Sequence, residues 1–414
     1  MTTATELNRR LAAGEPVVHF DGPVHCTEPL HFGPYRGQRL VGTGPSARLF
    51  FHFDGDGEGP ACINLGGHFQ GIQSCEIRLK PQSTASSRAD AAPRPTAIDL
   101  HGYTRATLSD LTVHNATDGL KALGNCGGLT LTDVQIGAIG TAFHIDGARD
   151  TVTMTRCRVW PFGHVNTPNG LAIYSDGASI GARFGRVDDL SITTMTTFRA
   201  SVQFQADAEG IAAFGHIANL RLDGSYANLT FEAGDIAIGF LGSTSEADDD
   251  FVVRQTGGQL VVTKSDLELP SSTHPGIGHF GGHGTYHGGH ILVGSSIGAR
   301  AVRQDGGRLV MRGMEFPTHP ELARETPIIE IREGAFYGSD LLAGLRTTGS
   351  GTFFLARRKA RGSINDSDSG GWGWELRGRG LRARGNVGSA DAPDDVLTRI
   401  RALESLAGIG THTG

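Results

Sequence analysis

Apolar residues recur along this chain as a triplet at positions i, i+3 and i+5. Leu108, Leu111 and Val113 become Leu131, Val134 and Ile136 after 23 residues, then Met154, Cys157 and Val159 after 23 more. The template returns as Ile72/Cys75/Ile77, Val187/Leu190/Ile192, Ile217/Leu220/Leu222 and Met311/Met314/Phe316, with Val262/Ser265/Leu267 a weaker copy. Strand alternation has period 2, so the step from i to i+3 needs a bend that keeps both neighbours inward. The residues at that bend are Ser74, Asp110, Asp133, Arg156, Asp189, Asn219, Lys264 and Gly313. Most are Asp, Asn or Gly, which tolerate left-handed backbone, so this column reads as structural.

Upstream of the triplets sit alternating segments that end in glycine. They are Ala97–Gly102, Leu120–Gly124, Phe143–Gly147 and Ala172–Gly177. Three short strands per 23-residue coil, with like positions stacking turn on turn, predict an all-β chain wound as a right-handed parallel β-helix. A propeller would need four strands and roughly 40 residues per repeat, which the ungapped steps exclude. Residues 1–390 are expected to form one β-helix domain, and 391–414 a C-terminal amphipathic helix and tail. Short helices should cap both ends. One follows Thr5 at Glu6–Leu11, and the other carries Val396, Ile400, Leu403 and Leu406 on one face. Spacing beyond 23 grows toward the C-terminal half, so long loops should gather there.

Composition fits short strands and tight turns. There are 61 Gly, while charged residues make up only 19% and aromatic residues 7%. A net charge of −6 gives no reason to expect nucleic acid or an anionic membrane as partner. Five cysteines without metal-type spacing, two of them at inward triplet positions, read as buried thiols. The start, Met1–Leu7, has no apolar signal-peptide core, and no stretch approaches a membrane span. The expectation is a soluble protein, extracellular or virion-associated without a visible cleaved signal, or else cytoplasmic.

The opening resembles the start of the pectate-lyase-like β-helix superfamily. The similar residues are Glu6–Gly14, the strand Val17–Phe20, and Leu40-Val41-Gly42-Thr43-Gly44. Asp21-Gly22-Pro23-Val24-His25 departs from that superfamily's usual Pro-Gly-x-Tyr turn. The superfamily holds polysaccharide lyases, glycoside hydrolases and phage tailspike depolymerases. The resemblance therefore implies a polysaccharide substrate, a groove on the flank of the helix and side-by-side association as a homotrimer, without naming a reaction.

The outward positions of the glycine-terminated strands should stack about 4.8 Å apart in two columns. One reads Asp99, Lys121, His144, Tyr174; the other His101, Leu123, Asp146, Asp176. Ser201, Gln203, Gln205 and Asp207 extend the strip. Asp146 and Asp176 on neighbouring coils would lie roughly 5 Å apart, close to the pair of a retaining glycosidase; Asp99 and Asp146 would suit an inverting one. Like-charge coupling would raise one pKa and supply the acid. Hydrolysis with Asp146, Asp176 and His144 as catalytic groups is the expectation, with Asp99, His101, Lys121, Tyr174, Gln203 and Gln205 binding substrate. Two alternatives stand beside it. Lys121, His144 and Tyr174 suit β-elimination from a uronate, and a tailspike or adhesin module would bind glycan without cutting it. Trp372 and Trp374, in the basic region that begins at Arg357-Arg358-Lys359, are further candidate sugar contacts. Five histidines (His274, His279, His283, His287, His290) raise a metal site, but a glycine-rich loop over the groove is the simpler reading. No metal and no cofactor are expected.

Overall fold

A computed structural model describes residues 2–54, 59–81, 90–160, 178–224, 227–244, 251–269, 276–293, 300–317, 326–343, 352–365, 367, 373–376 and 380–384. Its strands are paired in parallel, as in Thr107–Ala116 on Leu129–Ala138, and form a β-solenoid of about 11 turns. The right-handed parallel β-helix expected from the repeat is the fold. By backbone contacts the chain divides into two compact units: residues 1–247 with 252–263, and residues 248–251 with 264–414.

In the N-terminal unit the first two coils carry three short strands each, and from Gly71–Leu79 onward most coils carry one short strand and one long bent strand. The triplets stack in register. Ile72 pairs with Leu108, Leu108 with Leu131, and Leu131 with Met154. All of these are buried, as are Cys75, Leu111, Val134 and Cys157 one step on. The bend is left-handed at Ser74 (φ 54°), Asp110 (53°), Asp133 (54°) and Arg156 (52°), and in the C-terminal unit at Gly313 (59°). Arg156 donates to both oxygens of Asp133 one coil away, at 2.6 and 2.5 Å.

The copy read as Val187/Leu190/Ile192 is corrected. Met154 pairs with Ile192 and Cys157 with Met195, so the true triplet is Ile192/Met195/Thr197 and its bend falls at Thr194. Thr194, Asp189, Asn219 and Lys264 have no positive φ, so this bend is made there without a left-handed residue. Inside the short strands Phe184, Phe204 and Phe231 stack with centroids 5.0 and 5.5 Å apart. Such pairs add about 0.5–1.5 kcal/mol each beyond their burial.

The N-terminal end is covered by helix Ala4–Ala12, with Leu7 and Leu11 fully buried. Thr3 caps it by accepting from the Glu6 amide at 3.2 Å. Buried Gln38 donates to the Leu11 carbonyl at 2.8 Å and so satisfies its C-terminal end. The expected C-terminal helix lies outside the described residues.

Candidate functional site

The outward position of the short strands forms one unbroken file in the N-terminal unit. Asn64 is paired with Asp99, Asp99 with Lys121, Lys121 with His144, His144 with Arg183, Arg183 with Gln203, Gln203 with Thr230 and Thr230 with Arg254. Coil spacing sets these eight side chains about 4.8 Å apart. All but exposed Arg254 are half-buried, because each is flanked by the rung before and the rung after.

Charged groups and a neutral imidazole follow one another in the middle of the file. The Lys121 ammonium lies 3.1 Å from Asp118, whose other oxygen accepts the Thr141 amide at 2.9 Å. Burial pushes the Asp99 carboxyl above its ordinary range, against the pull of His101 and Lys121. Burial pushes the His144 imidazole down, and the Arg183 charge pushes the same way, while Asp146 and Asp118 pull back. His144 is thereby held neutral, able to donate at one ring nitrogen and accept at the other. Arg183 donates to the Gln203 side chain at 3.4 Å, and Gln203 donates to the Ser201 hydroxyl at 3.2 Å. The Nε of Arg183 is covered and has no hydrogen-bond partner.

One sequence expectation changes here. The strand paired to Thr141–Ile145 is Ile180–Phe184, so the rung expected for Tyr174 is held by Arg183. Tyr174 and Asp176 themselves lie outside the described residues. Asp146 accepts the Arg186 amide at 2.8 Å, and a Cβ on Gly185 would come within 2.2 Å of its carboxylate. Asp146 therefore caps the turn into Val187–Phe198 and packs against a glycine. That is turn chemistry of an ordinary kind.

His101 is exposed at the end of its strand, two residues along from Asp99 on the same outward face. Gln205 stands in the same relation to Gln203 and is half-buried. Asp207 accepts the amides of Glu209 and Ile211 at 2.9 and 2.8 Å and is spent on its own loop. Asn64, Arg183, Thr230 and Arg254 are file members that sequence reasoning missed.

Trp372 lies outside the described residues, and the backbone at Trp374 is in register with fully buried Phe354. Among the described histidines of the glycine-rich stretch, His279 is fully buried and its imidazole is pushed down to about 4 by burial. His290 stands 2.7 Å from Asp266. His274 lies outside the described residues. No three His, Cys, Asp or Glu among the described residues converge as a metal ion would need, and no helix among them is long and apolar enough to cross a membrane.

No family model matches the chain, and no curated protein matches it. Among solved structures it is similar to the crystal structure of PfbA, a surface adhesin of Streptococcus pneumoniae. The identity is 11% and the TM-score 0.37, over 88% of this chain and 86% of that one. A second structure of that pneumococcal surface protein and adhesin gives 10% identity and a TM-score of 0.31, over 92% and 94%. Likeness at this level assigns neither family nor activity, so the opening's similarity to the pectate-lyase-like superfamily remains a resemblance.

Proposed function

We propose that this protein binds an acidic polysaccharide laid along the file from Asn64 to Arg254. The observation that carries the reading is the unbroken register of that file, with Lys121, Arg183 and Arg254 as cations spaced among neutral hydrogen-bonding rungs. A linear glycan presents a hydroxyl or carboxylate with a repeat comparable to one sugar residue, and the coils offer a fresh side chain about every 4.8 Å. A guanidinium suits a carboxylate better than a hydroxyl. A polysaccharide ligand would be met outside the cell or on a virion.

If the bound glycan is also cut, β-elimination has more support than hydrolysis. Asp99 is the one carboxylate in the file, and Asp146 is engaged as a turn cap. His144 is neutral and stands between Lys121 and Arg183, which supplies a base beside two cations that can hold a uronate carboxylate. The test is a panel of acidic and neutral polysaccharides scored for binding, for new reducing ends and for ultraviolet absorbance of an unsaturated product. Lys121→Ala and Arg183→Ala should each weaken acidic-glycan binding roughly tenfold. His144→Ala should keep binding and lower any turnover by about 10²–10⁴. Binding without product would leave a lectin-like module, and equal affinity of wild type and Arg183→Ala would overturn the file as the site.

A further inference from the structure

In the C-terminal unit the outward rung of the short strands runs Arg303, Glu330, Leu355. Glu330 lies between inward Ile329 and Ile331, so its side chain leaves the core; yet it has no solvent exposure. Arginines cover it. Its carboxylate is 3.2 Å from Arg300, 3.0 Å from Arg332 and 2.6 Å from Arg357. Burial pushes the Glu330 carboxyl up, but the hydrogen bonds from Arg332 and Arg357 outweigh it and hold it below the ordinary range. The cluster thus keeps a fixed anion that buttresses three guanidiniums and neutralises only one of them. Nearby Asp305 takes Arg303 at 2.6 Å.

Beside this cluster opens a cleft of about 520 Å³ lined by Arg332, Leu355, Arg357, Arg358 and Lys359. No carboxylate among the described residues lines it. Arg357 keeps 51% of its side-chain surface exposed even while bound to Glu330, so its remaining donors face the cleft side and solvent. Lys359 is 74% exposed and reaches Glu333 at 3.1 Å.

We propose that this cleft is a second binding site, one that takes an oxoanion carried on a saccharide, with Arg332 and Arg357 gripping the oxygens, Arg358 and Lys359 at the rim and Leu355 against the apolar part of the ring. Guanidiniums held in place by a buried carboxylate are preorganised for planar, bidentate recognition of a carboxylate or sulfate. A nucleic-acid surface would need an extended basic stripe; among the described residues the cations lining this cleft are Arg332, Arg357, Arg358 and Lys359, on a chain of net charge −6. The proposal stands apart from the Asn64–Arg254 file and does not depend on it.

The experiment is titration of the full chain with four probes: a sulfated heparin-type oligosaccharide, an oligogalacturonate, neutral dextran and an oligodeoxythymidylate. The proteins are wild type, the rim variant Arg358→Ala/Lys359→Ala, the cleft variant Leu355→Glu, and the file variant Lys121→Ala/Arg183→Ala, each checked for an unchanged melting temperature. Arg358 and Lys359 are exposed, so the rim variant should fold as wild type. The charged oligosaccharides should bind with affinity that falls as salt rises. The rim variant should lose roughly tenfold and Leu355→Glu more, while the file variant keeps binding at the cleft. Preference for the sulfated over the carboxylated probe, or the reverse, identifies the source of the oxoanion. The proposal is overturned if wild type binds neither charged oligosaccharide, if dextran binds equally well, if the oligodeoxythymidylate binds tighter, or if only the file variant loses affinity.

Discussion

The outward rung of the short strand meets two different fates in the two units. In the N-terminal unit Asp99, Lys121 and His144 follow one another coil by coil, one ionisable group per rung, each half-exposed. In the C-terminal unit Glu330 gathers three arginines from the same and neighbouring strands and loses all contact with water. The ladder fixes which groups become neighbours at about 4.8 Å, so the order of charges from coil to coil decides the outcome. Charges spread one per rung stay solvated and available to a ligand. Charges converging on one rung close into an ion cluster that presents only its surplus. The consequences for ionisation have opposite sign, with the Asp99 carboxyl pushed up by burial and Glu330 held down by its guanidiniums.

The largest effect should come from removing the closed anion. Glu330→Gln leaves three packed guanidiniums without their counter-charge and should cost about 3 kcal/mol. A urea titration that shows no change would mean that the arginines swing free into solvent and that the cluster is not closed at all.

Acidification should divide the two kinds of site next. A carboxyl held low, such as Glu330, gives stability that is present above its unfolded pKa and lost as pH falls through the folded value. Neutral His279 acts in the same direction. Below the ordinary imidazole range the unfolded chain takes up the proton first, so stability drains away until about pH 4. Asp99, held high, works the other way, since the folded chain binds the proton first. The register neighbour of His279, Gln304, shows that a glutamine fits beside it in the core. His279→Gln should therefore flatten the loss of stability between neutral pH and about 4, measured as urea midpoints across that range. A variant as acid-sensitive as wild type would remove His279 from this account.

The smallest effect should be at the open rung. Asp99→Asn removes a charge that burial already disfavours and should change stability by no more than about 0.5 kcal/mol. A loss as large as that of Glu330→Gln would show Asp99 to be a structural anion too.

Much of this was legible in the sequence because a solenoid writes its core as a repeat. Between Ile72 and Val159 the triplets, their left-handed bends and the polar rungs Asp99, Lys121 and His144 all follow from spacing. Legibility failed where the local rule changed. At Thr194, Asn219 and Lys264 the bend uses no left-handed residue, so the Asp189 bend was a false landmark and the triplet was read out of register. That error hid Arg183. The short strand lies 10 or 11 residues before the triplet at Ile98/Leu108 and Leu120/Leu131, and counting back from Ile192 reaches Ala182, the inward neighbour of Arg183. Glycine at the strand's end pointed to Tyr174 instead. The turn contact of Asp146 was not legible from spacing, because the Arg186 amide that it accepts lies 40 residues away.

All five cysteines, from Cys26 to Cys157, lie in the N-terminal unit, buried and unbridged. Burial pushes the thiols of Cys26, Cys75, Cys126 and Cys157 up to about 12. Reagents that attack thiolates therefore find almost nothing to react with until a coil parts from its neighbour. The first 160 residues thus carry a set of built-in clocks, spaced along the solenoid, whose alkylation rates time the opening of individual coils. The C-terminal unit has no such sulfur, so modification of this protein reports on one unit alone and leaves the other silent.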